Sequence, residues 1–244
     1  MQTIGIIIPC YNEARRLDTN YLIEFLTLHP HIKVVLVNDG SVDNTKQVIE
    51  NTSSQLPQQI TAYNCPKNGG KAEAVRQGML LLKSETHLQW VGYFDADFST
   101  ELNEIDYFLN YIPKNINFDM LIGSRINRLG STIVRNELRH YISRIIGTLT
   151  SRLLKLHVYD TQCGAKLIAH KHVSLLFDKP FISTWMFDVE LFARLINFQG
   201  HDLCKQHIIE VPLRKWVEKG DSKISWTYTL KLPFELLKIK NSYF

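Results

Sequence analysis

The sequence predicts an α/β fold in which helices flank a mostly parallel sheet. Strand and helix signals alternate through the first half of the 244-residue chain, an order typical of such sheets. The strand segments are continuous apolar runs rather than alternating patterns, which indicates burial on both faces. Polar residues follow several of these runs, at the edge where ligands bind in open α/β sheets.

Five strands and four helices are predicted in this first half. The strand segments are TIGIIIP, KVVLVND, ITAYNC, LQWVGYFDAD and FDMLIGSR. Apolar residues at helical spacing predict the helices between them, at about residues 15–28, 44–52, 71–83 and 101–111. The turn Asn68-Gly69-Gly70 separates the third strand from the third helix.

The second half of the chain has a different character. Residues 131–156 read STIVRNELRHYISRIIGTLTSRLLKL, which predicts one basic amphipathic helix. Two interpretations of it stay open: a core helix with a polar rim, or an element in the lipid interface whose arginines meet anionic head groups. A turn at 160–166, a helix at 187–198 and a strand at 208–212 follow. Residues 227–244 form an apolar, lysine-bearing tail.

Composition is that of a folded domain. Hydrophobic residues make up 45% of the chain, too many for a disordered protein, and the length suits one domain or one domain with an appendage. The formal net charge is only +4, so wholesale nucleic-acid binding is not expected. The four cysteines are scattered and form no Cys-x-x-Cys pair, which favours a reducing, cytoplasmic setting.

Neither a secretory signal nor a membrane span is expected. Met1 leads directly into the apolar run from Ile4 to Ile8 without a basic segment before it. No stretch approaches the 18 consecutive apolar residues that indicate a spanning helix. If the protein meets a membrane, we therefore expect peripheral attachment at the cytoplasmic face.

Two carboxylates, Asp95 and Asp97, close the predicted core strand LQWVGYFDAD. Side chains two apart on an extended chain point to the same side, and neighbouring carboxylates repel each other. A divalent cation between them and a diphosphate removes that penalty, and Mg²⁺ or Mn²⁺ takes oxygen ligands that it shares with substrate phosphates. The pattern therefore predicts a metal site; a solvated loop is the alternative.

Six ordered motifs make the chain similar to a known family. They are IIIPCYNEARRL, VVLVNDGSVDNT, NGGKAEAVRQGM, YFDADFS, IGSR and DTQCGAKL. Together they resemble the family 2 glycosyltransferases, which have the GT-A fold. FDVELFAR and WVEKGDSKI are most similar to the polyprenyl-phosphate branch, namely dolichyl-phosphate β-glucosyltransferases and enzymes of the dolichol-phosphate mannose synthase type. The resemblance covers about residues 4–226, so residues 1–226 are interpreted as one GT-A domain.

The resemblance implies a donor site at the strand ends. The residues that match nucleotide-binding positions are Pro9, Tyr11, Glu13, Asp39, Gly70, Lys71 and Asp95. Asp39 matches an aspartate that contacts the base, although a turn or N-cap role is the alternative. The segment with Gly70 and Lys71 resembles one that closes over the nucleotide, because glycines permit close backbone approach and lysine adds positive charge.

The resemblance also implies an acceptor site built from basic residues. In this branch, arginines in the region of Arg125, Arg135 and Arg139 receive the lipid phosphate, and a fixed guanidinium suits phosphate recognition. Arg135 and Arg139 are expected one helical turn apart on a common face. Ser222 and Lys223 resemble an end segment that approaches phosphates. A solvated basic helix face is the alternative for the two helical arginines.

Asp188, in FDVELFAR, matches an acid that many inverting family members use as a general base. A phosphate acceptor is already ionised and needs little deprotonation, so in this branch Asp188 would orient sugar hydroxyls instead. A helix N-terminal charge is the alternative. The turn at 160–164 resembles an acceptor-side turn near the sugar.

The expected activity is a metal-dependent, inverting transfer of a hexose, preferably glucose, from a UDP-sugar to a polyprenyl phosphate. Asp97, Arg125 and Asp188 are the expected catalytic residues, and Mg²⁺ or Mn²⁺ is the expected cofactor. Two alternatives stay open: a family 2 enzyme with a saccharide or lipid-linked oligosaccharide acceptor, for which Asp188 is the base, and a nucleotide-sugar or membrane-binding protein without turnover. The sequence does not decide the sugar, the base or the oligomeric state.

Overall fold

The computed structural model describes residues 2–111, 118–219 and 231–244, with only the backbone of residues 137–139. Its strands, in chain order, are β1 (Ile4–Cys10), β2 (Ile32–Asn38), β3 (Ile60–Asn64), β4 (Trp90–Phe94), β5 (Met120–Ser124), β6 (Thr132–Val134), β7 (Ala165–Ala169), β8 (Ile208–Pro212) and β9 (Lys215–Val217). Its α-helices are α1 (Thr19–Leu28), α2 (Thr45–Gln55), α3 (Lys71–Leu82), α4 (Glu104–Tyr111), α5 (Glu137–Leu154), α6 (Val173–Phe177), α7 (Phe187–Gln199), α8 (His201–His207) and α9 (Leu232–Tyr243). A 3-10 turn at His170–His172 precedes α6.

Seven strands form the main sheet in the order β3-β2-β1-β4-β7-β5-β8. The pairs β1–β2, β2–β3, β1–β4 and β5–β8 are parallel, whereas β7 is antiparallel to both of its neighbours, β4 and β5. The predicted mixed, mainly parallel sheet with flanking helices is therefore confirmed.

Strand β1 shows why its segment is apolar without alternation. Ile6 and Ile8 belong to the hydrophobic cluster on one face of the sheet, and Ile7 belongs to the cluster on the other face. All three side chains are inaccessible to solvent, and burial of each stabilises the fold by roughly 1.5–3 kcal/mol. Helices on both faces thus require the continuous apolar run that the sequence contains.

The predicted helix over residues 131–156 is wrong at its start. Thr132–Val134 forms strand β6, which pairs in parallel with Lys215–Val217, and the helix begins only at Glu137. A β-branched run such as Thr132-Ile133-Val134 has low helix propensity and packs well in strands. Its partner lies about eighty residues away in the chain, so the local pattern did not reveal the pairing.

The C-terminal segment, predicted as an apolar and lysine-bearing tail, forms helix α9 in its described part. Leu232, Leu236 and Ile239 of α9 are buried in the hydrophobic cluster that also contains α7. Their spacing of three to four residues presents one apolar stripe. The described part of this segment therefore packs into the core through one face of α9.

Candidate active site

The predicted site residues gather at the carboxyl edge of the sheet. Asp39 follows β2, Asp95 follows β4 and Arg125 follows β5. Strand β7 runs in the opposite direction, and its first residue, Ala165, pairs with Phe94, the last residue of β4. The turn that precedes β7 therefore enters the same edge of the sheet, where it meets the strand ends.

Asp39 holds the segment with Gly69 and Gly70, which precedes α3, through two hydrogen bonds. Its side chain is almost fully buried, and its two oxygens accept hydrogen bonds from the backbone N–H groups of Gly69 at 2.8 Å and Gly70 at 2.9 Å. Gly70 has a φ of +82°, a left-handed conformation that favours glycine. The carboxylate thus holds the segment in place, and its contact with a base stays a prediction.

The end of β1 and the loop after it carry three further predicted nucleotide-binding residues. Pro9 lies inside β1, and Tyr11 and Glu13 follow it. The backbone N–H of Glu13 donates to the Thr45 hydroxyl at 2.8 Å, and its carboxylate lies 3.6 Å from the Arg16 guanidinium. These contacts tie the loop after β1 to the start of α2, while a nucleotide contact for Pro9, Tyr11 and Glu13 stays a prediction.

Each of the two predicted metal ligands carries a cationic partner. Asp95 Oδ1 lies 2.5 Å from Lys71 Nζ, and Asp97 Oδ2 lies 3.1 Å from Arg16 Nη2. Asp97 Oδ1 also accepts the backbone N–H of Ser99 at 2.9 Å. Burial acts to lower the pKa of Lys71, but the Asp95 and Asp188 carboxylates together outweigh it and the pKa of Lys71 is raised. Lys71 therefore remains protonated and positively charged beside the carboxyl end of β4.

Gly164 allows the turn before β7 to lie directly against Asp95. A Cβ atom at Gly164 would stand only 1.8 Å from Asp95 Oδ2. The carbonyl of Gly164 accepts the backbone N–H of Asp95 at 3.1 Å. Any larger residue would push the turn away from the carboxylate, so glycine is required for this contact.

The side chains at 95 and 97 fit a divalent cation that shares its coordination with phosphates. Carboxylate oxygens are suitable ligands for Mg²⁺ and Mn²⁺, and both carboxylates already attract positive side chains. Within residues 2–111, 118–219 and 231–244, no group of three or more Asp, Glu, His or Cys residues could hold a metal.

Arg125 is held in a fixed orientation by Asp160. Its Nε and Nη2 donate to the two carboxylate oxygens at 2.7 and 2.9 Å, and its guanidinium lies over the Trp216 ring at 5.4 Å. Burial acts to raise the pKa of Asp160, but the charge and hydrogen bonds of Arg125 outweigh it and lower that pKa. Glu210 in turn accepts the backbone N–H of Asp160 at 2.7 Å. The predicted phosphate-binding arginine is thus rigid and charge-compensated.

Further basic side chains surround Arg125. Arg135 contacts Nδ1 of His140, and the Arg144 guanidinium lies 3.5 Å from the Tyr159 ring centre. Burial, and then the charge of Arg125, lower the pKa of Arg135. Burial, and then Arg135 and Arg144, lower the pKa of His140. The second cause of both pKa shifts is like-charge repulsion, which a shared anion would relieve.

The structure corrects the placement of Arg135. It lies between β6 and α5 rather than on the helix, so it does not share a helical face with Arg139. The side chain of Arg139 lies outside the described residues, as do Ser222 and Lys223. Their predicted contacts with a phosphate stay predictions.

Asp188 lies in the first turn of α7 and is almost fully buried. Its Oδ1 accepts a hydrogen bond from Lys166 Nζ at 2.5 Å and another from the Tyr93 hydroxyl. Burial, and then the Asp188 charge, raise the pKa of Tyr93 well above its ordinary value. The phenol therefore remains a donor, and Asp188 is fixed between two donors.

Sequence reasoning missed several of these partners. They are Arg16, Tyr93, His140, Arg144, Asp160 as the partner of Arg125, and Lys166. A signal was available for one of them, because Lys166 stands in the otherwise apolar run AKLIA. A lysine that is buried in a central strand needs a charged partner.

The fold and the site together define a glycosyltransferase of the GT-A class. The model of "Glycosyl transferase family 2" matches residues 5–177, and the chain belongs to this family. The expectation that the protein is a hexosyltransferase is therefore confirmed.

Curated relatives support the predicted branch. The chain is 31% identical over 245 residues to the dolichyl-phosphate beta-glucosyltransferase ALG5C of Trichomonas vaginalis, with coverage of 96% of this chain and 69% of the relative. It is 27% identical over 266 residues to the dolichyl-phosphate beta-glucosyltransferase of Saccharomyces cerevisiae, with coverage of 98% and 75%. The resemblance to this branch is thereby confirmed over nearly the whole chain.

Solved structures confirm the fold. Glucosyl-3-phosphoglycerate synthase from Mycobacterium tuberculosis, in complex with Mn²⁺ and UDP-glucose, superposes with a TM-score of 0.68 at 15% sequence identity. The match covers 98% of this chain and 79% of that one. At this level of identity the similarity extends to the architecture only.

Proposed function

We propose that the protein transfers glucose from UDP-glucose to a polyprenyl phosphate, with inversion at the anomeric carbon. The proposal rests on one observation: a pair of carboxylates and a group of basic side chains lie at the same edge of the sheet. Asp95 and Asp97 stand at the end of β4, and a group of basic side chains around Arg125 stands beyond β5. The first suits a metal-bound diphosphate and the second suits a phosphate acceptor.

The donor is assigned to the side of Asp95 and Asp97. These carboxylates would hold Mg²⁺ or Mn²⁺, which when bound supplies Lewis-acid stabilisation of the departing diphosphate. Lys71 and Arg16, which lie against the two carboxylates, would then be available to the phosphates. Asp39 keeps the segment with Gly69 and Gly70 in place beside them.

The acceptor is assigned to the basic side around Arg125. An oxygen of the acceptor phosphate would bond to the anomeric carbon as the bond from that carbon to the diphosphate breaks, and the electron pair leaves with UDP. Asp160 orients Arg125, so little reorganisation is needed when the phosphate arrives. Arg135 and Arg144 add positive charge, which favours an anionic acceptor.

Asp188 is proposed to orient sugar hydroxyls rather than to act as a base. Lys166 and Tyr93 both donate to its Oδ1, an arrangement that keeps the carboxylate still. An ionised phosphate oxygen needs no proton acceptor. With a phosphate acceptor, Asp188 is therefore not needed as a base and is left to orient the sugar.

Peripheral attachment at the cytoplasmic face of a membrane is proposed from two helices that pack together, α5 and α9. Tyr141, Ile145 and Leu149 recur every fourth residue on α5 and are between 45% and 65% exposed. Phe234 and Leu237 of α9 are 68% and 52% exposed. Among the described helices, none has the length and apolar character to cross a bilayer. Apolar side chains beside basic ones suit the lipid interface.

The test is a screen of radiolabelled UDP- and GDP-sugars with polyprenyl phosphate, with and without Mn²⁺. We expect product that partitions into organic solvent with UDP-glucose, only when Mn²⁺ or Mg²⁺ is present. Product that appears only with a saccharide acceptor would reject the proposed acceptor. Nucleotide-sugar binding without any transfer would reject the proposed reaction.

A further inference from the structure

Lys166 is completely buried in an interior strand of the sheet. It stands in β7, between β4 and β5, and its side chain is inaccessible to solvent. Burial of an ammonium costs several kcal/mol unless charge and hydrogen bonds compensate for it. A lysine at such a position therefore needs a close set of acceptors, and these acceptors belong to the proposed site.

The ammonium of Lys166 joins three segments of the site. It donates to Asp188 Oδ1 on α7 at 2.5 Å and to the carbonyl of Cys163, in the turn before β7, at 2.6 Å. It also lies 5.3 Å from the centre of the Tyr93 ring on β4, and the Tyr93 hydroxyl contacts the same Asp188 oxygen. One buried charge thus connects helix α7, strand β4 and the turn.

The turn held by Lys166 also contacts the predicted metal ligand. Gly164, next to Cys163, accepts the backbone N–H of Asp95 and leaves room for its carboxylate. A short chain of contacts through Lys166 and the turn therefore links Asp188 to Asp95.

We propose that Lys166 is a positioning residue, which places the Asp188 carboxylate against the sugar of the donor. The inference rests on the proposed function, in which Asp188 orients sugar hydroxyls. Lys166 itself touches no substrate. Its loss should weaken recognition of the sugar while recognition of the nucleoside diphosphate is retained.

A second buried ion pair on α7 supplies a matched control. Arg194 lies 2.7 Å from Glu190, and both side chains are almost fully buried. The other hydrogen-bond partners of the Arg194 guanidinium are the carbonyls of Leu176, Lys179 and Pro180, and the hydroxyl of Tyr243. The guanidinium also lies 4.6 Å from the centre of the Phe181 ring. None of these groups belongs to the proposed site. Arg194→Met should therefore cost stability without a change in sugar recognition.

The experiment compares Lys166→Met with Arg194→Met by titration calorimetry in the presence of Mn²⁺. Affinity is measured for the nucleotide sugar that the wild type binds best and for its nucleoside diphosphate. We expect Lys166→Met to lower the ratio of the two affinities roughly tenfold, about the effect of one hydrogen bond to a charged group. Arg194→Met should leave the ratio unchanged.

A double variant covers the case in which Lys166→Met does not fold. Lys166→Met with Asp188→Asn contains no uncompensated buried charge, and such neutral replacements are well tolerated. We expect it to fold, as judged by circular dichroism, and to show the lowered affinity ratio of Asp188→Asn alone. A wild-type ratio in the double variant would reject the inference.

The remaining outcomes separate the inference from the proposed function. If the wild type binds a nucleotide sugar and Lys166→Met keeps the wild-type ratio, only the positioning role of Lys166 is overturned. If Arg194→Met lowers the ratio equally, Lys166 acts only through stability, and the inference is also overturned. If the wild type binds no nucleotide sugar, the proposed function fails together with the inference.

Discussion

The proposed donor side and the proposed acceptor side of the site differ in how their charges are arranged. On the donor side, Asp95 and Asp97 each have one cationic partner and remain partly exposed. On the acceptor side, Arg125 is compensated by Asp160, but Arg135 and Arg144 add positive charge around it. Each of these two donor-side carboxylates can exchange its cationic partner, whereas the acceptor side has basic side chains beyond the Arg125–Asp160 pair, whose charge an anion would neutralise.

The largest expected effect is on the donor side. Replacement of both Asp95 and Asp97 by alanine should lower the rate of transfer by at least about a thousandfold, because stabilisation of the leaving diphosphate is worth several kcal/mol. The rate is measured with radiolabelled donor across a Mn²⁺ titration. The control is Asp202→Ala, at an exposed carboxylate on α8, which should leave the rate unchanged. Undiminished transfer in the double variant would show that Asp95 and Asp97 do not hold the donor.

The next effect is on the acceptor side. Arg125→Lys keeps the charge but loses the bidentate contact with Asp160, since lysine cannot reproduce a planar fork. We expect kcat/KM for polyprenyl phosphate to fall about a hundredfold, with little change in affinity for UDP. Arg128→Lys, at an exposed arginine nearby, should change neither quantity. An equal loss of UDP affinity in Arg125→Lys would place Arg125 on the donor side instead.

A smaller effect is expected on the surface of α5 that is proposed to contact lipid. Ile145 is 62% exposed on α5, and Ile145→Glu should lower binding to anionic vesicles about tenfold in a sedimentation assay, because it adds negative charge and removes apolar area. Leu28→Glu, at an exposed apolar position on α1, is the control. Equal losses in both variants would mean that net charge, rather than the α5 surface, determines binding.

The smallest effect concerns stability and pH. Arg125 holds the pKa of Asp160 below its ordinary value, so this carboxylate contributes stability at neutral pH. The contribution is lost as the pH falls below about 4, because the unfolded state then binds the proton more readily than the folded state. Thermal melts from pH 6 to pH 3 should show a shallower decline in Tm for Asp160→Asn than for the wild type. Parallel declines would indicate that Arg125 and Asp160 are not coupled.

Short-range patterns in the sequence predicted the sheet and part of the donor site. The apolar runs of β1 and β2 predicted two-sided burial, because a strand covered on both faces has no solvent side. Asp95 and Asp97 were recognisable because both their identity and their position after a core strand are local features. Family resemblance predicted Lys71 in the segment that closes over the nucleotide, and the structure places its ammonium against Asp95.

The remaining features depend on partners that are distant in the chain. Arg125 pairs with Asp160, Lys166 with Asp188, and β6 with β9. Periodicity within a window of residues carries no information about such pairings. For this reason the sequence predicts the helix start near Arg135 too early, before Glu137. The ion pair between Arg125 and Asp160 is likewise not predictable from the local sequence.

The reversed direction of β7 has a consequence for how the enzyme can diversify. Strand β7 begins at the edge of the sheet where β4 ends. The short turn before β7 therefore contacts Asp95 through Gly164, and it is linked to Asp188 through Cys163 and Lys166. An insertion in that turn would disturb both acids at once. Enzymes with new acceptor preferences should therefore differ in the side chains of α5 and of the residues between β6 and α5. The turn before β7 should keep its length.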